Sequence, residues 1–232
     1  DYLPLNATVA VYRPLTTSFF SLNFILFGES PVSFHITNII LNGIVVFLVF
    51  LVTHKLFQHG LLAFVTALIF AFLPIHTEAV AFIKARDEIL SALFALLGWY
   101  VFLKATETKE NVSYKGVLVS SAILYLGVLS KEFIISLPAL YLLTFWMQKK
   151  ASLLQVSKLG LLFLPATIVY FILRFLALGQ DVFGREDVPF VADPLRFSDF
   201  ATRIWTAFKI AFIYIGKTFV PVNLSATYQY NH

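Results

Sequence analysis

Residues 72–88, FLPIHTEAVAFIKARDE, decide how this chain is read. The stretch is too polar for an ordinary piece of a membrane protein and too apolar for an ordinary loop. Apolar residues run from Leu61 to Phe72, and a second apolar run begins at Ile89. Between them stand His76, Glu78, Lys84, Arg86, Asp87 and Glu88. Ionisable groups near membrane depth are costly. They mark either a functional site or a polar hairpin turn whose charges pair with one another at the interface.

Composition sets the class around that stretch. Of 232 residues, 59% are hydrophobic and only 13% charged, with a mean hydropathy of +0.83. A soluble domain carries about 25% charged residues, so the chain reads as an all-α polytopic membrane protein. Its 26 Phe and 10 Tyr suit lipid-facing and interfacial surfaces. With no cysteine there is no disulfide framework and no thiolate nucleophile or ligand. The net charge of +4 is small and dispersed, which gives nucleic-acid binding no support.

Upstream, residues 1–31 read as an outer loop with an interfacial helix. Pro14 suits a first helical turn, Gly28 suits an end, and the run between is short of the ~20 residues a span needs. Arg13 stands at that helix start. A phosphate could meet both its guanidinium and the helix N-terminus, or the side chain could simply snorkel to headgroups. Residues 32–52 form an uncharged span carrying His35, Asn38 and Asn42 on one face. In lipid that face turns inward, towards a wet cavity or as hydrogen-bonding glue between helices.

Downstream, spans are expected at 61–79, 89–103, 117–129, 133–147 with a kink at Pro138, and 159–178. A last helix at 200–220, carrying Arg203, Lys209 and Lys217, is a span or a re-entrant helix. That makes six or seven membrane helices. Ser130-Lys131-Glu132 is a second embedded charged site, Arg174 lies near the end of a span, and residues 179–199 form a polar outer loop. Asn111-Val112-Ser113 is a sequon, usable only if its loop is lumenal in a eukaryote.

Alternating helices give two faces. Lys and Arg divide evenly between the loops of the two faces, seven on each, so the positive-inside rule does not orient the chain. The acids are unequal: one face has only Glu107 and Glu110, and the other has the remaining eleven. Arg13, Glu78, Arg86, Asp87, Lys131, Glu132 and Arg174 all reach the acid-rich face. Such a set offers carboxylates for acid–base work and cations for a phosphate. Lys131 and Glu132 could equally be a self-compensating pair. His76 with Glu78 could ligate a divalent metal, though without a third ligand.

Four segments also carry a resemblance. YRPLTTSFFSLNFILFGESPVSFHITNIILN, LPIHTEAVAFIKARDEILSALFALL, LSKEFIISLPALYLL and FVPVNLSATYQY follow one another across nearly the whole chain. Their order and spacing resemble the transmembrane, TPR-containing O-mannosyltransferases and their bacterial relatives, of the GT-C glycosyltransferase superfamily. The resemblance implies a GT-C-type helical module with interfacial helices on its outer face. It implies a polyprenyl-phosphate-linked sugar donor, a mannose-type hexose, and a protein or glycan acceptor. Transfer would take place on the periplasmic side of a bacterial inner membrane or the lumenal side of the ER membrane.

By the same resemblance residues 1–232 form one partial module. The first membrane helix, the later helices and the TPR repeats are expected outside it, as are the family's main acidic pair. Glu78, Asp87 and Asp1 are the catalytic candidates within the chain. Arg13, His35, Asn38, His76, Arg86, Lys131, Glu132 and Arg174 are the candidates for holding the lipid phosphate and substrate. No metal ligand set is assigned and no cofactor is certain, with a divalent metal left open. The chain departs from the family in having Leu73 where relatives often have the first His of His-Pro-Ile-His, and Asn42 where they often have His. Competing readings are a transporter or flippase for a lipid-linked or anionic solute, and a non-catalytic membrane scaffold.

Overall fold

The computed structural model describes residues 12–108, 110–179, 198–220 and 222. Helix α1 spans Pro14–Phe27 and starts on its proline, whose missing N–H costs nothing in a first turn. It ends at Gly28, which takes a φ of 68° and donates its N–H to the Phe24 carbonyl at 2.8 Å. At 14 residues α1 is about 21 Å long, short of the ~30 Å hydrocarbon core. Its buried residues are Thr16 and Asn23, while Leu22, Phe24, Ile25, Leu26 and Phe27 are exposed. Polar inside and apolar outside is the pattern of a helix that meets lipid.

Helix α2, Pro31–Phe57, is followed by α3, Gly60–Phe72, which packs back along it. The sequence suggested one crossing over 61–79, but the structure breaks it. Leu73, preceding Pro74, is pushed to φ −65° and ψ 122°, outside the helical region. A 3₁₀ turn at Pro74–His76 and the five-residue α4, Thr77–Ala81, follow, bent by 54° from α3. A second 3₁₀ turn, Ile83–Ala85, leads into α5, Arg86–Ala105. Asp87 and Glu88 occupy its first turn, where the helix dipole favours anions.

Helix α6, Tyr114–Val128, lies along α5. Small residues allow the close approach: a Cβ on Gly98 would sit 3.3 Å from the Ser120 carbonyl and the Tyr141 hydroxyl. Ser120 donates to the Gly98 carbonyl at 2.7 Å, and the Tyr141 hydroxyl donates to the Ala95 carbonyl. After α6 the chain turns through Glu132–Ser136 into α7, Leu137–Lys149. Pro138 begins this helix instead of kinking it, because the extended Lys131 and the 3₁₀ turn push the helix start to residue 137. Helices α8, Leu153–Leu161, and α9, Leu164–Leu178, form one long apolar unit with a break at Leu162 and Phe163. Phe102, Tyr141, Phe145, Phe163 and Tyr170 make the aromatic centre of the core.

Helix α10, Phe200–Phe219, is capped by Asp199, whose carboxylate accepts the Thr202 N–H at 3.1 Å. Three described helical units are long and apolar enough to cross a membrane: α2, Ile83–Ala105 and Leu153–Leu178. A fourth is reached if α3 and α4 count as one bent span. This is fewer than the six or seven read from the sequence, since α6 and α7 have only 15 and 13 residues and α10 is not among the three. The class stands: the described chain is an all-α, polytopic integral membrane protein. Asp1 lies outside the described residues, as does nearly all of the outer loop 179–199.

Candidate functional site

The first two residues of α5 are adjacent in the chain but on a helix they point about 100° apart. Each engages a different cluster. Arg86 points into the junction of α1 and α2 and is 0% exposed. Its Nε donates to Asn38 Oδ1 at 2.8 Å, and its Nη2 donates to Asn23 Oδ1 at 2.9 Å and to the Phe34 carbonyl at 3.1 Å. Its Nη1 donates to the Phe19 carbonyl at 3.4 Å. The guanidinium also lies over the Phe20 ring, 4.5 Å from its centroid. The two amides pass the network on: Asn38 Nδ2 donates to the Val80 carbonyl of α4, and Asn23 Nδ2 to the Ser33 hydroxyl. Among the described residues, no buried side-chain N or O atom lacks a hydrogen-bond partner.

Asp87 points the other way, to Arg13. One carboxylate oxygen accepts the Glu88 N–H at 2.9 Å, and the other is ion-paired with Arg13 Nη1. Arg13 stands just before Pro14, at the mouth of α1. Its remaining edge faces Glu132, with Nε to Oε2 at 3.2 Å and Nη2 to Oε1 at 3.4 Å, a fork-to-fork arrangement. Beside it Lys131 is ion-paired with Glu88. Backbone contacts fix the junction: Leu15 N–H donates to the Leu129 carbonyl at 3.3 Å, and the Thr16 hydroxyl to the Ser130 carbonyl at 3.4 Å. Thus α1 is seated on the end of α6, and the beginnings of α1, α5 and the α6–α7 turn meet at one point.

Arg174 borders this point from α9. Its Nη1 donates to the Tyr170 hydroxyl at 2.9 Å, and the Tyr170 ring packs against Tyr12, 6.3 Å between centroids. Burial alone would raise the Glu132 carboxyl, but hydrogen bonds and charge from Arg13, with Arg174 beyond, hold it below the usual carboxylate range. Burial pulls the Lys131 ammonium below its ordinary value, against the opposing pull of Asp87 and Glu132. On its outer side Arg13 faces an open groove along α1 with about 620 Å³ of free space. Tyr12, Thr17, Ser18 and Ser21 line it near Arg13, and Leu22 and Ile25 line it further on.

The structure therefore brings together Arg13, Asp87, Lys131, Glu132 and, at the margin, Arg174. Asn38 and Arg86 belong to the neighbouring buried pin, where Arg86 has its donors on protein acceptors. Glu78 is exposed on α4 and takes no part in the described ion pairs. His76 packs its ring on Phe70, 4.1 Å between centroids, and His35 lies partly buried in the first turns of α2. Among the described residues no three His, Asp or Glu side chains are grouped to hold a metal. Sequence reading missed Asn23, which sat unremarked among the polar residues of α1. It also missed Glu88 as a site residue, and Tyr170, whose i, i+4 spacing to Arg174 was the available signal.

At the opposite end of the bundle the basic loops also converge. Lys55 pairs with Glu107 at 2.8 Å, and Gln148 donates to the Leu56 carbonyl at 3.1 Å. With twenty residues of α5 between them, the two charged ends lie about 30 Å apart.

Comparison with known proteins adds an independent line. A family model described as dolichyl-phosphate-mannose-protein mannosyltransferase matches residues 13–175, which begins on Arg13 and takes in Arg174. Human protein O-mannosyl-transferase TMTC3 is 33% identical over 121 residues, 52% of this chain and 13% of that protein. Human TMTC1 is 42% identical over 103 residues, 44% of this chain and 12% of that protein. The protein O-mannosyl-transferase F38B6.6 of Caenorhabditis elegans is 37% identical over 125 residues, 52% of this chain and 17% of that protein. The matched region thus spans less than a fifth of the length of these relatives. No solved structure matches.

Proposed function

We propose, from the premise that this chain belongs to the dolichyl-phosphate-mannose-protein mannosyltransferase family, that it is the donor-holding part of a membrane enzyme moving a mannose-type sugar from a polyprenyl phosphate to a protein. The observation that carries this reading is Arg13. It joins an open groove, polar beside it and apolar further along α1, to two carboxylates on the other side. In the reaction the bond from the sugar C1 to the lipid phosphate breaks, and its electron pair leaves with the phosphate. A bond from C1 to the acceptor hydroxyl oxygen forms, and the hydroxyl proton passes to a carboxylate base. Arg13 neutralises charge on the leaving phosphate, with Lys131 and Arg174 adding positive potential. The Ser21 hydroxyl meets the polar head, beside Thr17 and Ser18, whose hydroxyls donate to the Arg13 and Pro14 carbonyls and keep lone pairs for sugar hydroxyls, while Leu22 and Ile25 meet the isoprenoid chain.

Asp87 orients Arg13. Glu78, Asp1 and acids outside this chain are the candidates for the base. The face bearing Arg13 is the periplasmic or lumenal one, where an acceptor protein is presented. The rival carrier reading requires charges near the middle of the spans. Here they lie at helix ends, which favours the enzyme.

The test is mannose transfer from radiolabelled polyprenyl-phosphate mannose to an acceptor protein by the intact parent in detergent. Arg13→Gln is expected to lower transfer by about 10²-fold or more in protein that is still folded at the assay temperature, although loss of the pairs to Asp87 and Glu132 lowers its unfolding temperature. Near-normal transfer by that variant would remove Arg13 from the mechanism. Tight lipid binding without any turnover by the parent would favour a carrier or scaffold.

A further inference from the structure

Arg13 has two edges with different neighbours. Asp87, on the Nη1 side, has a side chain 12% exposed, sits in the first turn of a long helix, and is steadied by the Glu88 N–H. Glu132, on the Nε and Nη2 side, begins a short 3₁₀ turn, and its side chain is 37% exposed. Its two bonds to Arg13, at 3.2 and 3.4 Å, lie at and beyond the long end of the normal range. That edge is also the one whose fork geometry fits two oxygens of a phosphate as well as it fits two of a carboxylate.

Charge makes the two occupants exclusive. Arg13, Lys131 and Arg174 are balanced by Asp87, Glu88 and Glu132. An arriving phosphate adds negative charge to a cluster already neutral, and at hydrogen-bonding distance it repels Glu132. Arg174 already acts on Glu132 through its charge, which gives a displaced Glu132 a second cation to turn to.

We propose that Glu132 and the phosphate of the lipid donor compete for the Nε–Nη2 edge of Arg13, so that Glu132 gates donor binding while Asp87 holds the guanidinium in place. This rests on the donor-holding reading above. Glu132 acts as a positioning residue: it touches Arg13, and the phosphate takes its place.

The experiment is equilibrium binding of polyprenyl phosphate to the intact parent in nanodiscs, with inorganic phosphate as competitor, for wild type, Glu132→Gln, Glu132→Asp and Arg13→Gln. Removing a partly exposed competing charge is expected to tighten polyprenyl-phosphate binding about three- to tenfold in Glu132→Gln. Glu132→Asp, which keeps the charge on a shorter reach, is expected between Glu132→Gln and wild type. Inorganic phosphate alone is expected to bind Glu132→Gln more tightly than wild type by a similar factor, because the edge takes the phosphate group itself. Weaker or unchanged binding by both Glu132 variants, with binding lost in Arg13→Gln, would overturn the competition alone. Undiminished binding by Arg13→Gln would overturn the donor-site reading beneath it. Equal tightening for an anionic glycerophospholipid would overturn the gate, since the edge would then take any lipid phosphate.

Discussion

Two arginines stand within one small region, and they are held in opposite ways. Arg86 is sealed from solvent, takes neutral acceptors from α1 and α2, and lies over an aromatic ring. Arg13 is partly exposed, takes two carboxylates, and borders an open groove. Neutral amides and carbonyls leave nothing to exchange: the guanidinium is a pin joining α1, α2 and α5. Carboxylates can be replaced by another anion of similar geometry. The difference separates a structural cation from one able to serve a phosphate, although both are arginines in the same charged region.

The largest expected effect falls on the pin. Arg86→Gln leaves Asn23, Asn38 and two carbonyls without their shared donor, and destabilisation of roughly 3–5 kcal/mol is expected. Arg86→Lys is expected to rescue little of it, because one ammonium cannot reproduce four bonds in fork geometry. Chemical or thermal unfolding in detergent, followed by tryptophan fluorescence, measures this. An Arg86→Lys variant as stable as wild type would make the pin a matter of charge alone.

A smaller effect is expected at the exchangeable edge. Although burial alone would raise it, the Glu132 carboxyl is held below its ordinary unfolded pKa by Arg13. Its contribution to stability is therefore fully present above that value and is lost as the pH falls through the lower folded value. Unfolding temperature measured from pH 7 down to about pH 3 is expected to show an acid-side decline that Glu132→Gln partly removes. An unchanged decline in the variant would mean that the Arg13 contact does not stabilise the ionised form.

The smallest effect is expected at the far end of the bundle. The Lys55–Glu107 pair is a surface contact, with the Glu107 carboxyl held low first by the hydrogen bond and then by the charge of Lys55. Exposed pairs of this kind contribute little. Lys55→Ala is expected to leave both transfer and unfolding temperature unchanged, and a marked loss of transfer would couple the two ends of α5.

Much of this organisation was legible in the sequence, and the misses have physical causes. Pro14 and Gly28 marked α1, and alternation of apolar runs brought Arg13, Asp87, Lys131, Glu132 and Arg174 to one face. Pro74 was read through although it bends the second expected span, and Pro138 was read as a kink although it starts a helix. Pro74 breaks the helix by forcing Leu73 out of the helical region, whereas at Pro138 the preceding 3₁₀ turn sets where the helix starts. The role of Arg86 was hidden because its charge made it look like Asp87's companion in chemistry. Helical geometry turns the two apart, and the asparagines that receive Arg86 lie 63 and 48 residues away in the chain. Apolar periodicity does not register such partners, so Asn23 passed unnoticed.

The most direct measurement sets the two arginines side by side in the intact parent, recording mannose transfer, polyprenyl-phosphate binding and unfolding temperature for Arg13→Gln and Arg86→Gln. Arg13→Gln is expected to lose transfer and lipid binding while staying folded at the assay temperature, and Arg86→Gln is expected to unfold earlier than Arg13→Gln. A stable Arg86→Gln that has lost lipid binding, beside an Arg13→Gln that still binds and transfers, would contradict the assignment of pin and phosphate cation.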